Sequence, residues 1–254
     1  MISVSQLAHS SKTYSVSICE LTALTDDVVL AKLKLEDPNY SFQAGQYVEI
    51  VVDDEPRPFS IASSPQQLPF LEFHIRKQPD NPFTCNLLEK MALKQPLHIT
   101  HAQGYCHYPE KFSHDSDKEW VFITGGTGFA PANAIIHTLY DDHPEITCHL
   151  FWGVGQSSDL YAQKPLQQLQ QQQANFYYHP VVFDPHAQWM GLTGLVHRAA
   201  METLSKDLSE YEYLLAGSIE MVSAVYEDLR SSGVERSHIH GDMIDIMRDQ
   251  GDLV

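Results

Sequence analysis

The feature that most limits how this chain folds is a change of hydrophobic period near residue 110. Before it, apolar and polar residues alternate with period two in short runs: "YSVSICELTAL", "VVLAKLKL", "GQYVEIVV", "FLEFHIRK" and "QPLHITHAQG". Turn formers separate these runs, among them Asp37-Pro38, Asp53-Asp54 and Gln78-Pro79-Asp80. Such spacing predicts short strands of an antiparallel barrel, interrupted by one helical patch, "TCNLLEKMAL". After the polar stretch "KFSHDSDKE" the chain alternates buried strands with amphipathic helices. "WVFITGG", "TCHLFWGV", "FYYHPVVF", "YEYLLAG" and "HIHGDMI" read as strands, and the helix "PANAIIHTLYDDH" is expected to start with Pro131 at its first position. "LYAQKPLQQLQQQQ" reads as a helix with a solvated glutamine face, and "SIEMVSAVYEDLRSSG" as one ended by Gly233. That alternation predicts a parallel sheet with helices on both faces. The expectation is therefore two domains: an N-terminal antiparallel β-barrel over 1–112, a linker over 113–119, and an α/β doubly wound parallel-sheet domain over 120–254.

Charge removes several classes of function. A formal net charge of −17 argues against nucleic acid and against anionic membrane surfaces. Any phosphate-bearing ligand has to be held by local cations and backbone N–H groups. The first twelve residues have no apolar core of signal-peptide length, and no run approaches a membrane span. Cys19, Cys85, Cys106 and Cys148 form no CxxC pair, so four reduced thiols and a cytoplasmic location are expected. No metal site is expected. His238 and His240 could share one strand face, but no third ligand is apparent.

Three stretches place glycines where a strand meets a helix. "ITGGTGFAP" carries Gly125, Gly126, Thr127 and Gly128; "YLLAGSIEM" carries Ala216, Gly217 and Met221; "WGVGQSSDLY" carries Gln156 and Ser157. Glycine lets a phosphate approach the backbone, and helix N-terminal N–H groups then face it. Each glycine could equally serve a sharp turn alone. In an open parallel sheet all three strand ends look onto one crevice. In the first half, "EPRPFSIASSP" clamps Arg57 between Pro56 and Pro58 and follows with Phe59 and Ser60. The prolines limit the backbone; the guanidinium suits a phosphate, and the hydroxyl suits one hydrogen bond to a planar ring.

These motifs carry a resemblance. "RPFSIAS" resembles the flavin-binding signature of the ferredoxin–NADP⁺ reductase superfamily, with Phe59 in place of the usual tyrosine, and "GGTGFAP" resembles that superfamily's nicotinamide-dinucleotide loop. "GQYVEI", "LEFHIRK", "FWGVGQSSDLY" and "AGSIEM" fall in the expected order, from about residue 14 to 246. Within the superfamily the chain is most similar to the NAD(P)H:flavin oxidoreductases. The resemblance implies that the barrel binds flavin (FAD or FMN) and the second domain NADH or NADPH. Arg57 would take a flavin phosphate, Pro58 and Phe59 would flank the ring system, and Ser60 would hydrogen-bond N5. His74, Ile75 and Arg76 would line the ribityl side, and Thr84 would stand in for a helix-start serine, with Asn81 departing from the glycine usual there. Gly125, Gly126, Thr127 and Gly128 would cradle the dinucleotide, Thr127 near the nicotinamide, with Ala216, Gly217 and Met221 beside it. Ser60 and Thr127 are the candidate catalytic residues.

The implied activity is hydride transfer from NAD(P)H to a flavin, FMN, FAD or riboflavin, with release of the reduced flavin. One alternative is an FAD-holding reductase that passes electrons to an oxygenase or other redox protein. Another is a catalytically silent nucleotide-binding module. The loop Gln156-Ser157-Ser158-Asp159 has no arginine for a 2′-phosphate, which favours NADH.

Overall fold

The computed structural model describes residues 12–108 and 118–250. The first half is a six-stranded antiparallel sheet in the order β4-β3-β6-β1-β2-β5. Its strands are β1 (Tyr14–Ala23), β2 (Val28–Leu35), β3 (Tyr47–Val52), β4 (Glu55–Ser60), β5 (Phe70–Arg76) and β6 (Leu97–Ile99), with α1 (Pro82–Ala92) before β6. Alternation does the folding here: Val48, Ile50 and Val52 of β3 point inward, as do Leu71, Phe73 and Ile75 of β5, onto Leu87 and Met91 of α1. Past Ser60 the chain ties the two sheet edges together. Ile61 N–H donates to Gln46 O at 3.0 Å and Ala62 N–H to Glu72 O at 2.8 Å, which closes the sheet on itself.

Glu55–Ser60 is a strand as well as a motif, which the turn-like prolines concealed. It pairs with β3 through Ile50↔Arg57 and Val48↔Phe59. Pro56 and Pro58 sit at alternate positions of an edge strand, so their missing N–H groups fall on one side only, the side without a partner strand.

The second half is a parallel six-stranded sheet in the order β10-β9-β8-β7-β11-β12. The strands are β7 (Glu119–Gly125), β8 (Cys148–Val154), β9 (Phe176–Val182), β10 (Leu192–Thr193), β11 (Tyr211–Ala216) and β12 (Ile239–His240). The helices are α2 (Phe129–Asp142), α3 (Gln163–Gln172), α4 (Val196–Thr203), α5 (Ile219–Ser231) and α6 (Asp242–Gln250). Both faces are covered. Trp120, Phe122, Leu150 and Trp152 pack with Ile135 and Leu139 of α2 and Leu166 of α3. Val121, Ile123 and Phe151 pack with Ala200 of α4 and Val222 and Val225 of α5. The order reverses between β7 and β11, so the fold's switch point lies between the ends of those two strands.

Two expectations change, one lies largely outside the described residues, and one helix is added. The linker expected over 113–119 lies, up to residue 117, outside the described residues. The helix after β7 begins at Phe129, behind a 3₁₀ turn at Gly126–Gly128, so Pro131 is its third residue. Proline is tolerated there because first-turn N–H groups have no intrahelical acceptor. "HIHGDMI" holds only two strand residues; the chain breaks at Gly241, where a Cβ would lie 2.6 Å from Leu215 O, and α6 follows. Val196–Thr203, left without assignment in the sequence, is α4. Among the described residues no helix is long and apolar enough to cross a membrane. No group of three His, Cys, Asp or Glu among them could hold a metal ion, and His238 and His240 both bond Glu212, at 2.7 and 2.9 Å.

Two glycines separate backbone strain from crowding. Gly233 (φ +89°) closes α5 with its N–H on Arg230 O while Val234 N–H reaches Leu229 O, a Schellman ending with open space around the glycine. Gly45 (φ +101°) joins barrel to sheet, and a Cβ there would lie 2.7 Å from both Cys106 O and Ile135 Cδ1. Gly233→Ala is expected to cost about 1 kcal/mol, the left-handed penalty alone. Gly45→Ala should cost about 1–3 kcal/mol more from overpacking, read as the difference in denaturant midpoints.

Candidate functional site

A cavity of about 540 Å³ opens between the halves, at the switch point. From the barrel it is lined by Arg57, Pro58, Phe59 and Ser60 of β4, His74 and Arg76 of β5, and Thr84 of α1. From the sheet it is lined by Gly125, Gly126, Thr127 and Gly128, and by Gly217 after β11. Its size is that of a small-molecule cleft. A second cavity of about 150 Å³ lies against it and shares Ser60, Gly128 and Gly217 as walls; Ala216 lines it too. Ser60 therefore stands where the two cavities meet, the position a group acting on two adjoining rings would need.

Local chemistry sets each side chain. Arg57 and Phe59, two apart on one face of β4, both meet Phe83: the guanidinium lies 5.7 Å from its ring centre and Phe59 stacks at 6.3 Å. Arg57 also pairs with Glu55, and Arg76 with Asp27 at 2.5 Å. Both pairs are exposed, so each is worth at most about 1 kcal/mol, and a ligand phosphate could displace the carboxylate. His74 points the other way, into the seam. Its Nδ1 lies 3.1 Å from Tyr161 Oη, and its ring stacks on Phe129 at 6.0 Å. Burial pushes His74 down to about 4, so it is neutral at physiological pH. Phe129 in turn stacks on Trp152 at 4.5 Å, and Trp152 Nε1 donates to Gly126 O at 2.9 Å.

The glycines have structural reasons that the bare motif did not reveal. A Cβ on Gly125 would collide with Met221 Sδ, and one on Gly217 would lie 2.7 Å from the same sulfur. The Met221 thioether thus fills the gap between the ends of β7 and β11. Gly128 is needed because Ala216 O approaches to 2.5 Å of a Cβ position, and Gly126 has φ +54°.

Five predicted residues are not in the lining of the large cavity: Ala216 lines the small one, Met221 packs its sulfur against Gly125 and Gly217, and Ile75, Gln156 and Ser157 lie further off. Ile75 points into the barrel core. Gln156 lines a separate recess of about 670 Å³, together with Asp26, Asp27, Ser158 and Asp159, and Ser157 starts a 3₁₀ turn beside it. Asp159 Oδ2 accepts from Gln156 N–H at 2.9 Å, which spends that amide on the loop itself. Thr84 lines the large cavity but is buried, and its N–H donates to Asn81 Oδ1 at 3.2 Å. The sequence reading missed Phe83, Gln78 and Ser218 in the large cavity and Cys106, Asp242 and Met243 in the small one. Only Ser218, between the glycine and the helix it caps, carried a readable signal.

Comparison with known proteins identifies a family for each half of the chain. The pattern described as an oxidoreductase FAD-binding domain matches residues 15–108, and that of an oxidoreductase NAD-binding domain matches 122–227. The chain is 32% identical over 200 residues to the NAD(P)H-flavin reductase of Vibrio harveyi, covering 77% of this chain and 83% of that one. It is 28% identical over 239 residues to the CDP-6-deoxy-L-threo-D-glycero-4-hexulose-3-dehydrase reductase of Yersinia pestis, covering 93% of this chain and 70% of that one. Among solved structures, the Amycolatopsis cytochrome P450 reductase GcoB superposes with a TM-score of 0.83 at 26% identity, over 91% of this chain and 69% of that one.

Two measurements check this geometry. Gly125→Ala should destabilise the protein, and adding Met221→Ala should recover about 1 kcal/mol or more, a coupling that a double-mutant cycle reads directly. His74, lowered from 6.5 to about 4, resists protonation only in the folded state. Its contribution is intact above pH 6.5 and lost as pH falls toward 4, by about 3 kcal/mol at most. In His74→Phe this part of the acid sensitivity should disappear from denaturation curves taken across that range.

Proposed function

The chain belongs to the ferredoxin–NADP⁺ reductase superfamily of FAD- and NAD-binding oxidoreductases, and from that premise we propose that it reduces a freely exchanging flavin with NADH and releases the product. The observation that carries this reading is the state of the donors at the start of α1. Pro82 has no N–H, Thr84 N–H is taken by the Asn81 side chain, and Cys85 N–H by Asn81 O. A dinucleotide's second phosphate finds little to hold there. One phosphate can still reach Arg57 by displacing exposed Glu55. Such a site recognises the ring system, the ribityl chain and at most one phosphate strongly, and it lets the flavin leave.

The residues fit a flavin. Phe59 and Phe83 provide a flat apolar wall, and Ser60 offers a hydroxyl at the junction of the cavities. When bound, flavin supplies a two-electron acceptor and the nicotinamide supplies hydride. The protein's part is placement: Arg57 anchors the phosphate end, Ser60 hydrogen-bonds flavin N5, and Thr127 with the glycine loop carries the nicotinamide side. The neutral His74 and its aromatic neighbours keep water from the back of the site. NADH is favoured over NADPH because Asp159 closes its own loop and faces Asp26 and Asp27 across the recess, where a second phosphate would meet negative charge.

A second reading has some support. Similarity to GcoB and to the Yersinia pestis reductase suits a protein that retains FAD and serves a redox partner such as an oxygenase. Gel filtration separates the two. The expected result is a colourless protein whose NADH oxidation starts when FMN, FAD or riboflavin is added; a yellow protein that needs no added flavin would favour the second reading. Ser60→Ala should lower kcat about 10- to 100-fold with little change in KM. Arg57→Ala should raise KM for FMN but leave riboflavin unaffected. NADPH should show a kcat/KM at least about tenfold below NADH, and Asp159→Asn should narrow that gap.

A further inference from the structure

Resting on this flavin–nicotinamide reading, we propose that Asp242 is a positioning residue: its half-buried carboxylate grips the barrel loop at Gly104–Cys106 and so sets the wall of the small cavity beside Ser60. Asp242 opens α6, directly after Gly241. It reaches across to the other half of the chain. Its Oδ1 accepts from Tyr105 N–H at 2.8 Å and from Cys106 N–H at 2.9 Å, 137 and 136 residues earlier. Two consecutive amides on one oxygen fix the loop's orientation as well as its distance. Gly104 makes room for this grip: it has φ +108°, and a Cβ there would lie 2.7 Å from Asp242 Oδ2.

The gripped loop cannot yield on its other side. Tyr108 N–H donates to Ala44 O at 2.9 Å, Gln103 N–H donates to Tyr47 O at 2.7 Å, and Cys106 O presses on the Gly45 position. Movement at Asp242 therefore passes into the cavity. Of the residues that line the cavity, Asp242 alone carries a formal charge; Ser60, Ala216 and Gly217 share the space with it. Two other links between the halves lie elsewhere: Asn133 Nδ2 donates to Ala62 O at 2.9 Å, and His74 meets Tyr161 in the aromatic seam. Neither of these touches the 104–106 loop. Loss of Asp242 would leave the halves joined but free one wall of the space in which two rings have to meet. Catalysis by placement is sensitive to such a change, because a shift of about 1 Å can cost about 100-fold in rate.

The test uses the full chain. Asp242→Ala should lower kcat for NADH oxidation about 10- to 100-fold while KM for the added flavin stays within about twofold, since the large cavity is untouched. Asp242→Asn keeps an oxygen for the same two N–H groups and should recover kcat to within about threefold of the unmodified protein. Hydrogen–deuterium exchange, measured with neither flavin nor NADH present, should quicken at Tyr105 and Cys106 in Asp242→Ala but not in Asp242→Asn. Unchanged exchange in Asp242→Ala would overturn the grip. Faster exchange with unchanged kcat would overturn its role in placement. Should Asp242→Ala fail to fold, Asp242→Glu pushes the same loop outward by one methylene, and the same split between kcat and KM is expected. If the unmodified protein oxidises no NADH with any flavin, the reaction reading fails, while exchange still judges the grip.

Discussion

The site depends on a seam of rings that holds the two halves at one spacing. His74 of the barrel lies on Phe129, Phe129 on Trp152, and Trp152 bonds the carbonyl of Gly126. This links a barrel strand to the glycine loop through packed, nearly incompressible side chains. The imidazole has to be neutral for the seam to close, because a charge there would lie buried with only the Tyr161 hydroxyl beside it. The large cavity is the space left on the open side of that seam.

The glycines show how structure and function share one requirement. The loop after β7 looks like a phosphate cradle, and three of its glycines also answer to neighbours: Met221, Arg76 and the Ala216 carbonyl. The same lack of Cβ that admits these neighbours leaves backbone exposed to a ligand. A strand-to-helix junction at a switch point needs tight packing between β7 and β11, and tight packing there selects the residues a ligand can approach.

The change of period near residue 110 made both sheets legible, because strand burial is a local pattern. The two halves of the site were legible as motifs, and the cavity contains Arg57, Ser60, Thr127 and the glycines as their order implied. What was hidden depends on distant partners. Glu55–Ser60 does not show itself as a strand until β3 is beside it, since prolines are acceptable only on an open edge. Asp242 looks like any acidic residue at a helix start until the loop 137 residues earlier is in place. Gln156 belongs to the right edge of the sheet but lines a different recess, formed with Asp26 and Asp27 of a distant loop, and Ser157 starts the turn beside it. The helix at Val196–Thr203 is short, and its apolar face is formed largely of alanine, too weak a stripe to stand out.

Electrostatics explains how so acidic a chain handles ligands that carry phosphate. Its net charge is −17, and the two arginines at the cavity are each matched by a carboxylate, Glu55 and Asp27. Those pairs are exposed and weak, so each cation is available only by exchange, one carboxylate for one phosphate. Exchange gains little net energy, whereas a planar ring buried against Phe59 and Phe83, as proposed, would gain it with no charge to neutralise. The balance of binding therefore rests on the rings, and the phosphate mainly sets direction. Under the function proposed above, such a site would orient its ligands without holding them long, as turnover of a diffusible flavin requires.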